Sequence, residues 1–161
     1  MGLRAARFIS LLFTAVALGA ALAHLLALPN KIHLSREEYL TVQQVYRGWA
    51  LLGIVDIGAL LSTLVLAILS RRIRRSFIPT VLAWLCIAVA LALFFAFTYP
   101  ANQQTNNWTA LPDNWQDLRR QWEYSHAAGA CLYLVAFSLL TLSLLRDEVR
   151  SSPGERMGVC S

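Results

Sequence analysis

Charge is scarce in this chain. Only 14% of its 161 residues are charged, against 57% hydrophobic residues, which lies outside the usual range for a soluble domain of this length and makes lipid the expected solvent. Cysteine is scarce too, with three residues in the whole sequence. Cys86 and Cys131 fall inside apolar runs and Cys160 near the C-terminal end, and no CxxC pair exists, so neither a disulfide framework nor a thiolate metal site is expected. No phosphate loop, dinucleotide fingerprint or nucleophile elbow occurs, and no cofactor is expected. The apolar stretches lack the period-two alternation of a membrane β-barrel and are rich in Ala and Leu, which favour helix. No internal repeat is present.

What the sequence does contain is four long apolar runs: Phe8 to Leu28, Gly48 to Leu69, Phe77 to Tyr99 and Ala127 to Leu145. Each is long enough to cross about 30 Å of hydrocarbon as a helix. The first has a possible competing identity. Arg4 and Arg7 precede it and Ala21-Leu22-Ala23 resembles a signal-peptide cleavage site, but the apolar stretch continues through Leu25, Leu26 and Leu28, a length suited to spanning. The expected fold is an all-α membrane protein, a four-helix transmembrane bundle occupying residues 1–150, followed by a disordered cytoplasmic tail over 151–161.

Basic residues set the orientation. Arg4, Arg7, Arg71, Arg72, Arg74, Arg75, Arg146, Arg150 and Arg156 fall on one side of the spans, and Lys31, Arg36, Arg47, Arg119 and Arg120 on the other, where Glu37, Glu38, Asp113, Asp117 and Glu123 offset them. Both termini are therefore expected to be cytoplasmic, in a plasma membrane of the bacterial inner type. The net charge of +5 is then mainly a topology signal: membrane lipids are the expected partners, and nucleic acid is not, because no basic surface domain is present.

Ser35-Arg-Glu-Glu38 reads as a capping box, which predicts that the second helix starts outside the membrane and runs on unbroken into its span. Asp113 with Gln116 suggests a similar start for the fourth helix, and Ser76 and Pro79 suit the start of the third. Two helix extensions and the Pro100 to Pro112 loop should form a small external cap.

Polar residues near the outer ends of the spans carry the site hypothesis, because each is costly in hydrocarbon and should face the bundle interior. His24 shares a helix face with Ala17, Ala20 and Ala21. Arg119, Trp122, Glu123 and His126 recur at i, i+3, i+4 and i+7 along one stripe of the fourth helix. Gln43 and Arg47 pair on the second helix, and Asn102 follows the third. At one depth, these can converge on a pocket. The plainer alternative is that Trp108, Trp115, Trp122 and Tyr124 are interfacial belt residues and that Arg and Glu at a helix end form an ion pair. Asp56, in the middle of the second span with Gly53, Ala59 and Thr63 on its face, either hydrogen-bonds a neighbouring helix or marks a proton or substrate path. Glu123-Tyr-Ser-His126 has the Glu-x-x-His spacing of di-iron bundles, yet the chain holds one copy and no second acid at that depth, so no metal is expected. Asn107-Trp108-Thr109 fits a glycosylation sequon, relevant only in a eukaryotic secretory pathway.

Four blocks together carry a family resemblance: His24-Leu-Leu-Ala-Leu-Pro29-Asn-Lys31, Gln43-Gln44-Val-Tyr46-Arg47-Gly-Trp49, Pro100-Ala-Asn102, and Trp115-Gln-Asp-Leu-Arg119-Arg120-Gln-Trp122-Glu123-Tyr-Ser-His126. In order and spacing, from about Arg4 to Leu145, they resemble bacterial members of the anthrone-oxygenase-like membrane proteins, long described as a domain of unknown function. Some fungal members are associated with oxidising anthrones to anthraquinones without a recognised cofactor motif. One departure is Gly129, which stands three positions after the fourth-helix His where many relatives carry Arg. The resemblance implies a hydrophobic aromatic or quinone-like ligand. His126 or His24 would be the general base, Arg47 or Arg119 would stabilise an enolate-like anion, Trp122 would stack on the ring, and Asn102 and Glu123 would join the contact set. A non-catalytic binder or accessory subunit remains open on the same residues. A transporter has only Asp56 in its favour, without an inverted repeat.

Overall fold

The computed structural model describes residues 2–151, and every regular element in that range is helical. Helix α1 spans Gly2–Lys31, α2 Arg36–Gln43, α3 Gly53–Ser70, α4 Arg74–Leu93, α5 Tyr99–Gln104 and α6 Trp115–Ser151. Short 3-10 turns at Gln44–Tyr46 and Trp49–Leu52 join α2 to α3, and a π turn at Phe94–Thr98 joins α4 to α5. Four segments are long and apolar enough to cross a membrane: Gly2–Lys31, Trp49–Ser70, Arg74–Gln104 and Trp115–Arg146. The chain is an integral membrane protein built as a four-helix bundle. The tail expected from residue 151 lies, beyond Ser151, outside the described residues, as does Cys160.

Neighbours in the bundle are α1 with α3 and α6, and α4 with α3 and α6, so α1 and α4 lie diagonally opposite. Their shared core is made largely of small residues. Ala59, Ala83, Ala130 and Ala136 are fully buried beside Ile87, Leu66 and Leu140, and small side chains allow the close backbone approach on which helix packing in lipid depends. The large apolar side chains point the other way: Phe8, Ile54, Leu61, Val65 and Leu134 are exposed on the bundle surface, where acyl chains are their natural neighbours. Gly58 illustrates the closeness of the packing. A Cβ there would stand 2.6 Å from the Phe13 ring.

Span length explains the cap. At 1.5 Å per residue, the 30 residues of α1 and the 37 of α6 rise about 45 and 55 Å, well beyond a hydrocarbon core of about 30 Å. The excess of α1, α5 and α6 at the end opposite the Arg71–Arg75 hairpin, together with α2, forms a second core of Tyr39, Ala101, Trp108, Trp115, Leu118 and Trp122. The two ends are called here the cap end and the hairpin end.

Three helix boundaries differ from the sequence expectation. The Ser35 capping box is present, with Glu38 N–H donating to Ser35 Oγ and Ser35 N–H donating to a Glu38 carboxylate oxygen at 3.0 Å, but the helix it starts does not run into the second span. It stops at Gln43, and Gly48 adopts φ +86, a left-handed conformation open to glycine that breaks the helix and lets the chain turn before α3. The third span does not end at Tyr99-Pro100 either. Pro100 lies in the first turn of α5, which continues directly from the π turn, and the cap loop begins at Thr105. Helix α6 starts at Trp115, whose N–H donates to Pro112 O at 3.0 Å, with Leu118 N–H donating to Asn114 O at 3.3 Å; no Asp113 side-chain bond occurs among the described residues. The loop itself contains three consecutive left-handed residues, Asn106, Asn107 and Trp108, at φ 48, 54 and 61. The Trp108 N–H donating to Thr105 Oγ1 at 3.1 Å and the Trp108 indole held by Asn102 offset that strain.

Candidate functional site

The bundle opens at its cap end around a cavity of about 690 Å³, within the range of small-molecule sites. One wall is α1, where Ala17, Ala20 and Ala21 lead up to His24. Diagonally across stand Leu91, Phe94 and Phe95 at the π turn. A π turn adds one residue to the helix and leaves carbonyls to be satisfied elsewhere, here by Gln121 Nε2 donating to Phe97 O at 2.8 Å, while the hydroxyls of Thr98 and Ser125 bond each other at 2.7 Å. Ile57, Phe95 and Tyr99 line the cavity and are also exposed, so it opens sideways between the second and third spans.

His24 and His126 meet in this cavity as a stacked pair, with ring centroids 4.1 Å apart and planes 12° from parallel. Trp122 lies edge-on to both, at 5.0 Å from His24 and 4.2 Å from His126, and Tyr46 stands 4.4 Å from His24. His24 is 7% exposed, and its Nδ1 is buried with no hydrogen-bond partner among the described residues. A buried imidazole nitrogen without a protein partner, on a ring stacked against a second imidazole and framed by aromatic rings in an apolar slot, is unusual, because buried polar groups are ordinarily satisfied.

The rings are fixed from behind. Asn102 Oδ1 accepts from two indoles at once, Trp122 Nε1 at 2.8 Å and Trp108 Nε1 at 3.1 Å. Lys31 Nζ stands 2.9 Å from Glu123 Oε1, donates to the Tyr46 hydroxyl at 3.1 Å, and lies over the Tyr46 and Trp122 rings at 4.6 and 4.9 Å. Glu123, 1% exposed, also accepts from the Tyr39 hydroxyl at 2.9 Å, which in turn accepts from Gln43 Nε2. Burial first, and then the Glu123 carboxylate beside it, push the Tyr39 phenol well above its ordinary range, so Tyr39 stays a neutral donor. Arg119 is buried between Trp115 and Tyr39, with its guanidinium 4.6 Å and 5.3 Å from their rings, and donates to Leu34 O at 2.8 Å. Arg36 donates to Leu111 O and closes the cap over this network.

Of the residues singled out in the sequence, His24, Asn102, Trp122 and His126 come together at the cavity, while Arg47 stands at its rim, exposed, with Nη2 donating to Gln44 Oε1 at 3.2 Å. Its anticipated pairing with Gln43 is broken by the 3-10 turn. Arg119 and Glu123 share the His126 helix face but lie beneath the cap, outside the cavity lining. Asp56 lines the cavity and accepts from the Tyr133 hydroxyl at 2.8 Å, tying the second span to the fourth. Lys31, Tyr39, Tyr46 and Trp49 were not legible as site residues. Lys31 counted as a flanking charge and as the end of the first block, and Tyr46 and Trp49 only as part of the second block. No group of three or more His, Cys, Asp or Glu side chains converges as a metal-ligand set among the described residues.

The chain matches no protein-family model, no curated protein and no solved structure.

Proposed function

We propose that this protein binds a flat, hydrophobic, quinone-like aromatic in the cap-end cavity, at the outer face of the membrane with both termini cytoplasmic, and that His126 or His24 acts there as a general base. The stacked imidazole pair carries this reading: a base is placed at the wall of an apolar slot whose other surfaces are aromatic rings and alanines. The sideways opening suits a ligand that arrives dissolved in lipid. The orientation rests on the excess of arginine at the hairpin end.

The four sequence blocks that resemble anthrone-oxygenase-like proteins favour one reaction class. An imidazole removes a proton from an activated ring CH2. The carbanion adds O2 to give a hydroperoxide after reprotonation, and loss of water leaves the ketone, so one O2 is consumed and one water released per CH2 converted to C=O. Trp122 would stack on the ring, and Asn102 would hold Trp122. Of the two arginines expected to steady an enolate, Arg47 is the one within reach of the cavity rim. Substrate oxidation supplies the electrons for O2, and no cofactor is required by the balance.

Purified protein in nanodiscs tests this reading with anthrone as substrate, followed by anthraquinone absorbance and oxygen uptake. Oxygen-dependent turnover that His126→Ala abolishes is the expected result. Absence of turnover together with absence of anthraquinone binding would overturn it. The Lys31–Glu123–Tyr39 network favours a second reading, a non-catalytic membrane binder or accessory subunit whose cap docks another protein; His126→Ala would then lower the melting temperature with no activity to lose.

A further inference from the structure

Asp56 has no role in the chemistry above. It sits where lipid-facing protein would make an acid costly, yet it lines the cavity rather than a helix contact alone. Oδ1 accepts from Tyr133, and Oδ2 has no partner among the described hydrogen bonds. Its depth follows from helix geometry. Tyr133 lies seven residues beyond His126 on α6, and Ala17 lies seven before His24 on α1, so on both walls the floor at Asp56 is two turns, about 10 Å, from the imidazole pair. Between the two polar ends the walls are Ala20, Ala21, Ile57, Leu91 and Phe94. A lipid tail in this slot would leave the Asp56 oxygen unpaired, as would an unsubstituted arene.

We propose that Asp56 is the deep anchor of the cavity, accepting a hydrogen bond from a hydroxyl at the far end of a neutral two- or three-ring aromatic whose near end meets the His24–His126 pair. The inference rests on the proposed ligand pocket and adds to it the residue that selects a ligand carrying a hydroxyl at this depth. The Tyr133 hydroxyl occupies Oδ1, which leaves Oδ2 as the oxygen free to accept from a ligand. A site built to receive a hydroxyl discriminates strongly against analogues that lack one, because its own buried acceptor is then left unsatisfied.

The test is calorimetric titration of the full chain in nanodiscs, with empty nanodiscs as blank, using naphthalene-2,6-diol, its dimethyl ether and naphthalene itself. Wild type should bind the diol about tenfold or more tightly than either non-donor, the scale of leaving one buried acceptor unsatisfied. Asp56→Ala should bring the three affinities to within about twofold of one another, and Asp56→Asn, which keeps an acceptor oxygen, should retain part of the preference. Tyr133→Phe loses the interhelical bond but keeps the carboxylate, so it should keep the preference even if it melts earlier. Equal binding of the three compounds to wild type, or a preference that survives Asp56→Ala, would overturn the anchor while leaving the pocket standing. Failure of all three to bind wild type would remove the pocket reading and the anchor with it.

Discussion

The two ends of this bundle are held together by different chemistry. At the hairpin end the buried polar residues are small and neutral: Ser10, Ser70 and Thr80 donate to carbonyls of their own helices, and Ser143 joins Ser76 and Thr80 across α6 and α4. At the cap end they are Lys31, Arg119 and Glu123, the three buried charged residues other than histidine among those described, together with Tyr39, Gln43 and two indoles on Asn102. Hydroxyls bonded within their own turns are buried at little desolvation cost, and of these groups only the Ser143 cluster ties two helices together, so this end makes few demands on geometry. A buried charge network is the opposite: it depends on the placement of each partner, and Glu123 Oε2, Arg119 Nε and Gln43 Oε1 are buried here without one among the described residues. Its rings, Tyr46 and Trp122, are the ones that frame the imidazole pair, so rigidity is concentrated where the cavity needs it.

The largest effect that could break this contrast is at Lys31. Lys31→Ala leaves the Glu123 carboxylate buried beside Tyr39 without its ion-pair partner, and should cost about 3–5 kcal/mol in equilibrium unfolding in mixed detergent. Adding Glu123→Gln should recover most of that loss, because no buried carboxylate remains. If Lys31→Ala unfolds like wild type, the cap network is not what fixes that end. A smaller effect belongs to the hairpin end. Ser143 Oγ is 2.6 Å from Ser76 Oγ and also donates to Ser76 O at 3.1 Å; Ser143→Ala should cost about 1 kcal/mol, the scale of hydroxyl bonds between membrane helices. Binding in the cavity should stay unchanged. A Ser143→Ala variant that lost ligand affinity would show the two ends to be coupled rather than separate.

The same contrast explains which features were legible in the sequence. Spans, the all-helical class and the capping box depend on local pattern, namely apolar length, helix formers and the Ser35/Glu38 spacing, and the His126 stripe is a property of one helix face. The break at Gly48 was not legible, since a glycine in an apolar run is compatible with a helix until the cap draws the chain aside. The Lys31 pairing with Glu123 was not legible either, because it joins residues far apart in sequence, nor were the two indoles on Asn102, which depend on how α5, the cap loop and α6 meet above the bilayer. Helix periodicity put Arg119 and Glu123 on the His126 face correctly. It carries no information on height, and that is what sets these two beneath the cap and His126 in the cavity.

The smallest effect sharpens the comparison inside the cap itself. Glu38 is fully exposed, and its hydrogen bonds with the Ser35 side chain and backbone hold its carboxyl below the usual carboxylate range. A carboxyl whose folded value is depressed contributes stability that is fully present above its unfolded value and is lost as the pH falls through the folded one. The first turn of α2 should therefore fray on going from about pH 7 to about pH 3, with amide exchange at Arg36–Glu38, corrected for the intrinsic pH dependence, rising more than in α3. Arg36, Glu37 and Glu38 are the titratable or charged groups at that helix start, and Ser35→Ala should produce the same fraying already at neutral pH. The buried core beneath, with Tyr39 a neutral donor throughout the range, should keep its exchange protection at the lower pH. If the first turn of α2 and the Tyr39 layer lost protection together, the capping box and the charge network would be one cooperative unit, and the exposed rim of the cap would matter to the cavity as much as the salt bridge below it.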